Sequence, residues 1–115
     1  MKFARISFSF WLAIFLFIPA LIFASETESQ HASLLLKQKK YRAALEILEN
    51  LESQNPSDFE IKLKVVGAHI GLGEEDAAEN KIQKILILNP DDFKAEYILA
   101  GLYLRKGKFQ DAEKI

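Results

Sequence analysis

Few residues in this chain of 115 could carry out catalysis or bind a metal. His31 and His69 are the only histidines, cysteine is absent, and the two histidines do not combine with a carboxylate at a ligand spacing on one helix face. His69 falls on an apolar stripe, where a packed, hydrogen-bonded histidine is the simpler interpretation. We therefore expect no catalytic site, no metal site and no cofactor.

Two short patterns near the middle of the chain also have structural interpretations. Gly71 and Gly73 resemble part of a phosphate-binding loop, but such a loop follows a strand, and these glycines end a predicted helix. Glu74, Glu75 and Asp76 open the next predicted helix, where the helix dipole stabilises negative charge. The ligand spacing of a calcium loop is missing there, so we expect helix boundaries and not ion sites.

The charge balance argues against a nucleic-acid partner. The chain has 15 basic and 16 acidic residues, and removal of Lys2 and Arg5 leaves 13 basic residues. A nucleic-acid-binding domain needs a basic stripe. The basic cluster between Lys37 and Arg42 has no counterpart in later repeats, and we interpret it as a solvated turn.

A repeat of 34 residues defines the helices and turns that hold the residues named above. The positions that keep this interval include Ala44, Ala78, Ala112, Pro56 and Pro90. The block Asn55–Phe59 also matches Asn89–Phe93 at four of its five positions. Such a period is typical of helix–turn–helix units, which stack because one unit cannot bury its apolar face alone.

Each repeat is predicted to hold two helices. Apolar residues recur at intervals of three and four, and each Asn-Pro step closes a helix. Ser57 or Asp58, and Asp91, are expected to cap the helices that follow. The predicted helices are 28–38, 41–53, 58–72, 75–88, 92–106 and one from 109 onward.

The turn between the two helices of a repeat also follows a pattern. Gly73 and Gly107 stand where a left-handed residue would end the first helix. Lys39 replaces glycine in the first copy, so its turn is expected to be looser or slightly strained.

With these features the sequence resembles the tetratricopeptide repeat family. The resemblance is carried by Ala32, Tyr41, Ala44, Leu48 and Pro56, then by Gly73, Ala78, Ile82 and Pro90, and then by Leu99, Ala100, Tyr103, Gly107, Phe109 and Ala112. It implies an all-α fold of antiparallel helix–turn–helix repeats stacked as an α-solenoid. The units would be 25–58, 59–92 and an incomplete 93–115. About two and a half units lie near the lower limit of roughly three for a continuous core, so we expect a fragment of a longer protein.

In that family the first helix of each unit lines a concave groove, and the resemblance therefore implies a partner-binding groove here. Its residues would be Leu63, Gly67, Ile70, Tyr97, Gly101, Leu104 and Arg105. Most of them are apolar, and the glycines would let a partner backbone approach closely. The lysines and asparagines with which some relatives clamp a terminal carboxylate are replaced at these positions. The alternative is that this stripe packs against a later helix of the same protein.

Residues 1–24 are laid out as an export signal. Lys2 and Arg5 precede an apolar run from 6 to 23, and Ala24 and Ser25 are small residues at a possible cleavage point. The run of roughly 18 residues is also near the minimum for a membrane span, so an uncleaved anchor through residues 6–23 is the alternative. Both interpretations place the repeats outside the cytoplasm, and a chain without cysteine suits a bacterial periplasm.

The sequence therefore predicts a non-enzymatic, exported adaptor that holds a protein or peptide partner in the cell envelope. One alternative is the periplasmic amino-terminal region of an outer-membrane component for export or assembly, serving polysaccharide or protein secretion. Another is a repeat region that precedes an enzyme domain beyond residue 115.

Overall fold

The computed structural model describes residues 27–108, 111 and 113–115. Residues 27–37 belong to the first helix, α1. The helices that follow it are α2 Tyr41–Gln54, α3 Phe59–Gly71, α4 Glu75–Leu88 and α5 Phe93–Arg105. The predicted bounds of α2 to α5 and the predicted end of α1 agree with the structure to within one residue. The predicted helix from 109 lies largely outside the described residues, and the predicted signal 1–24 lies wholly outside them.

Aspartates cap the first helix of the second and third units. Asp58 Oδ1 accepts hydrogen bonds from the second and third N–H groups of α3, at 3.0 and 3.3 Å, and Asp92 Oδ1 does the same for α5 at 3.0 and 3.1 Å. Such a cap satisfies N–H groups that have no partner within the helix. The prediction that Asp91 caps α5 is wrong, because α5 begins at Phe93 and Asp92 is the residue immediately before it.

The turns between paired helices share one geometry. Gly73 and Gly107 have φ angles of 77° and 75°, and Lys39 adopts the same left-handed conformation with φ 61°. The two backbone hydrogen bonds that close the turn at Lys39 measure 3.1 and 2.9 Å, against 3.0 and 2.9 Å at Gly73. The turn at Lys39 is therefore no looser than the glycine turns, and its lysine is held in a strained conformation.

Two apolar cores lie on either side of α3. The first core contains Ala32, Leu35, Ala44, Leu45, Leu48, Val65 and Ala68. The second core contains Leu63, Val66, Ala78, Ile82, Ile85, Ala95, Leu99 and Leu102. Helix α3 contributes to both, with Val65 and Ala68 on one side and Leu63 and Val66 on the other.

Burial in these cores stabilises the stack of helices. Full burial of a large aliphatic side chain contributes about 1.5–3 kcal/mol, and Leu48, Ile82 and Leu102 are almost completely buried. In sequence order, each helix from α2 to α5 packs against the next. The predicted all-α solenoid of stacked helix–turn–helix repeats is confirmed.

In the part of the chain that is described, every helix is too short or too polar to cross a lipid bilayer. The membrane tether predicted through residues 6–23 lies outside that part.

Candidate partner-binding groove

Two adjoining cavities lie along α5 and share Tyr97 and Ile98. The first has a volume of about 430 Å³ and is lined by Glu60, Leu63, Lys64, Phe93, Lys94, Tyr97 and Ile98. The second has a volume of about 330 Å³ and is lined by Ile70, Tyr97, Ile98, Ala100, Gly101, Leu102, Leu104 and Arg105. We call their joint surface the α5 groove. Its walls come from α3 and α5, the first helices of their units.

Large apolar side chains stand exposed in the α5 groove. Phe93 is 81% exposed, Tyr97 82% and Leu104 52%. Their spacing of four and seven residues places them on one face of α5. Exposed apolar side chains gathered in a concave surface are typical of sites where another molecule binds.

The structure places six of the seven predicted groove residues in the walls of the α5 groove. Ile70, Tyr97, Gly101, Leu104 and Arg105 line the second cavity. Leu63 lines the first cavity, but it is only 8% exposed and belongs mainly to the second core. Gly67 lines neither cavity. A Cβ atom at Gly67 or Gly101 would meet nothing within 4 Å, so the surface is open at both glycines.

Sequence reasoning missed three kinds of lining residue, namely an aromatic, several aliphatic and several charged side chains. The apolar ones are Phe93, Ile98, Ala100 and Leu102. A signal for Phe93 was present, because this residue repeats Phe59 within the duplicated Asn-Pro block. Family positions alone do not reveal it, since the aromatic ring lies at the first residue of the helix.

The rim of the α5 groove carries three basic side chains and one carboxylate. Lys94 Nζ donates a hydrogen bond of 2.6 Å to Glu60 Oε1, and this bond together with the attraction between the charges raises the pKa of Lys94 above its usual value. Lys64 Nζ lies 3.5 Å from Ser29 Oγ. Arg105 Nη2 lies 2.9 Å from Glu75 Oε1, at the far end of α5. The groove is therefore apolar in its walls and mainly basic at its rim.

His69 is largely buried, but it does not form the hydrogen bond that was expected of it. Its Nδ1 lies 3.4 Å from Glu74 Oε2, and among the described residues that nitrogen has no hydrogen-bond partner of good geometry. Within the described ranges, no group of histidine, aspartate and glutamate side chains is arranged to hold a metal ion.

Comparison with known proteins gives one family and several solved structures. The tetratricopeptide repeat family model matches residues 35–92, half of the chain. A comparison with curated protein sequences finds no match.

The solved structures share the fold. A structure titled MamA 41-end from Desulfovibrio magneticus RS-1 superposes with a TM-score of 0.70 at 25% identity, over 76% of this chain and 49% of that one. A double mutant of MamA RS-1 gives 0.70 at 24% identity, over 78% and 51%. PcrH, in complex with the chaperone binding region of PopB, gives 0.72 at 16% identity, over 79% and 73%. The chain thus spans about half the length of these MamA chains.

Proposed function

Because this chain belongs to the tetratricopeptide repeat family, we propose that it is a non-enzymatic scaffold for protein–protein interaction whose α5 groove binds a protein partner. We further propose that it acts in the cell envelope after export. The exposed apolar face formed by Phe93, Tyr97 and Leu104 is the observation on which the binding function rests.

The chemistry of the α5 groove favours a polypeptide over a small polar ligand. Its walls are apolar, and aromatic anchors such as Tyr97 contribute most to binding when a partner buries them. PcrH, which has the same fold, is known in complex with a segment of PopB. A fold of stacked helical repeats therefore offers a surface on which another polypeptide can lie.

The proposal of a non-enzymatic role is supported by the composition of the α5 groove. General acid–base catalysis needs a titratable group whose pKa lies near the working pH. Apart from Glu60, the charged groups that line this groove are lysines and an arginine, and its other side chains are aliphatic or aromatic. Proteins built from such repeats typically bind partners and leave chemistry to them.

Binding in the α5 groove is tested with paired substitutions in the full chain. Tyr97→Ala with Leu104→Ala should remove most partner capture from an envelope extract, because truncation of a central anchor commonly costs about 2 kcal/mol or more of binding free energy. Both side chains are exposed, so the thermal midpoint should change little. Capture is quantified by cross-linking and mass spectrometry.

Ile87→Ala with Leu88→Ala is the matched control, since both residues are exposed and lie outside the α5 groove. The control should retain full capture. Unchanged capture by the Tyr97→Ala, Leu104→Ala protein, combined with a lowered thermal midpoint, would contradict the proposal and assign the stripe to packing within the protein.

The proposal of export rests on the layout of residues 1–24. Identification of the first residue of the mature protein tests it. A cleaved signal should leave Ser25 as the first residue in a periplasmic fraction. Retention of Met1 in the membrane fraction would instead establish the anchor through residues 6–23. A protein with Met1 in the cytoplasmic fraction would contradict both.

A further inference from the structure

A further cavity lies among α2, α3 and α4, away from the α5 groove. Its volume is about 210 Å³, and its walls are formed by Glu52, Lys62, Lys81, Lys84, Ile85 and Leu88. We call it the lysine cavity. All of its lining residues belong to the first two units, so its walls need no helix that follows α4.

The walls of the lysine cavity carry more positive than negative charge. Lys81 Nζ donates a hydrogen bond of 2.6 Å to Glu52 Oε1, and Lys62 Nζ lies 3.8 Å from the same oxygen. Two ammonium groups are thus held beside one carboxylate. Lys84 is exposed and adds a third, which has no hydrogen-bond or ion-pair partner among the described residues. One carboxylate therefore faces three lysines, and two positive charges in the walls remain uncompensated.

The ion-paired side chains of the lysine cavity are partly shielded from water. The exposed fraction of the side chain is 17% for Lys62, 25% for Lys81 and 20% for Glu52. Salt and water screen charges at such positions less than at an open surface. An anion that enters the cavity would therefore interact more strongly with these ammonium groups than with lysines on an exposed helix face.

The repeat pattern does not account for the lysines of α4. The position one repeat before Lys81 holds Ile47, and the position one repeat before Lys84 holds Asn50. Residues that the stacking of units requires recur with the period of 34, as the small and aliphatic core residues do. These lysines are additional to that pattern, which favours a role in binding over a role in packing.

The charge and the donors of the lysine cavity match a phosphate group. A phosphate monoester has about 1.5 to 2 negative charges at pH 7 and three strong acceptor oxygens. Lysine ammonium groups are compact donors that bind phosphate as point charges. A carboxylate, with one charge and two oxygens, matches three lysines less well. The cavity is also smaller than the roughly 300–1,000 Å³ of a typical ligand pocket, so only the phosphate group of a larger molecule would lie inside it.

The edge of the lysine cavity is apolar. Leu88 lines the cavity but is 71% exposed, and its neighbour Ile87 is 78% exposed. Exposed aliphatic side chains beside lysines suit a phosphate at a membrane surface, where acyl chains lie below the headgroups. A small soluble monoester presents the same phosphate to the lysines without the acyl chains.

We propose that the lysine cavity binds the phosphate group of a monoester, with Lys62, Lys81 and Lys84 as its donors. Glu52 holds Lys62 and Lys81 beside each other. The phosphate belongs either to a small soluble molecule or to a lipid headgroup. This site goes beyond the proposed function, because it shares no lining residue with the α5 groove.

The test follows the binding of glycerol phosphate to the isotope-labelled full chain through the amide NMR signals of α3 and α4. Ionic strength is held constant with sodium chloride, and sodium acetate is the matched anion. We expect saturable shifts for glycerol phosphate and no saturation for acetate. Lys84→Gln should raise the Kd for glycerol phosphate by about threefold to tenfold, because it removes one charge-assisted donor from an exposed position.

Lys37→Gln is the matched control, since Lys37 is exposed on α1 and lies outside the lysine cavity. This protein should bind glycerol phosphate as the parent does. Both lysines are exposed, so neither substitution should change the thermal midpoint by more than a small amount. Equal weakening of binding by Lys84→Gln and Lys37→Gln would overturn the proposal, because it would indicate attraction by the overall charge alone.

Vesicles separate the two sources of phosphate. Phosphatidylcholine vesicles with and without phosphatidic acid are sedimented with the parent protein and with Lys84→Gln. Binding that requires phosphatidic acid and weakens in Lys84→Gln would support the site and assign it to a lipid headgroup. Binding of glycerol phosphate without such vesicle binding would support it as a site for a soluble monoester. Failure of both probes to bind would overturn the proposal.

Discussion

At the scale of single residues, Lys39 carries the clearest local strain. It is the one non-glycine residue with a positive φ in the described part of the chain, while Gly73 and Gly107 occupy the equivalent turns. A left-handed conformation costs a residue with a Cβ about 1–2 kcal/mol. Glycine avoids that cost but loses about 0.5–1 kcal/mol more through its greater freedom in the unfolded chain.

Lys39→Gly should therefore raise the free energy of unfolding by about 0.5–1 kcal/mol, because relief of strain exceeds the entropic loss. Urea unfolding followed by circular dichroism measures the change. Lys37→Gly is the control, since Lys37 is helical and exposed, and glycine there should lower stability by up to about 1 kcal/mol. A destabilised Lys39→Gly protein would show that the turn is not strained.

At the scale of helices, ion pairs join the turns of successive units along one edge of the solenoid. Arg42 lies 3.4 Å from Glu74, and Lys106 Nζ donates hydrogen bonds to Asp76 and to Glu79. These bonds raise the pKa of Lys106, and the hydrogen bond from Lys106 lowers the pKa of Asp76. Asp76 is almost fully exposed, whereas Glu79 and Lys106 are largely shielded from water.

The lowered pKa of Asp76 fixes the direction of a pH effect. Its contribution to stability is fully present above the ordinary value of 3.8 and disappears as the pH falls through the lowered folded-state value. Asp76→Asn should therefore lower the thermal midpoint slightly at neutral pH, and the difference from the parent should vanish in strong acid. Glu79→Gln should lower the midpoint further, because its carboxylate is better shielded. A difference for Asp76→Asn that persisted unchanged in strong acid would contradict this assignment.

The helices were predictable from the sequence because their boundaries are marked twice in each repeat. The Asn-Pro steps and the turn glycines recur with the same interval as the apolar stripe, so independent signals agree on each boundary. The cap of α5 was misassigned because Asp91 and Asp92 are adjacent. A shift of one residue in the start of the helix decides which of them reaches its first N–H groups.

The groove was less predictable, since exposure depends on which helix lies on top. Leu63 and Tyr97 occupy equivalent positions, yet the first is buried and the second exposed. A repeat pattern places both on the same face and does not reveal which of the two the neighbouring unit covers. Phe59 and Phe93 are also equivalent positions, and Phe93 is the more exposed of the two for the same reason.

At the scale of the whole molecule, α3 joins two cores that are otherwise separate. Leu48 lies in the first and Leu102 in the second, and both are almost fully buried. In a stack where each unit contacts only its neighbours, stability is approximately a sum of local terms and interface terms. Damage to one core should therefore loosen its own end of the solenoid first.

Leu102→Ala should cost about 2–5 kcal/mol and accelerate amide exchange in α4 and α5 more than in α1 and α2. Leu48→Ala is the reciprocal control and should accelerate exchange in α1 and α2 more. Hydrogen exchange with mass spectrometry resolves the helices separately. Equal acceleration throughout, by both substitutions, would indicate that the two cores unfold as one unit.

The ion pair between Glu60 and Lys94 has a consequence for the order of the units. The two residues occupy the same repeat position, 34 residues apart, and carry opposite charges. A tandem duplication of the second unit would oppose two glutamates, and a duplication of the third would oppose two lysines. Either rearrangement would replace attraction with repulsion at two exposed positions, so the contact between the second and third units depends weakly on their order.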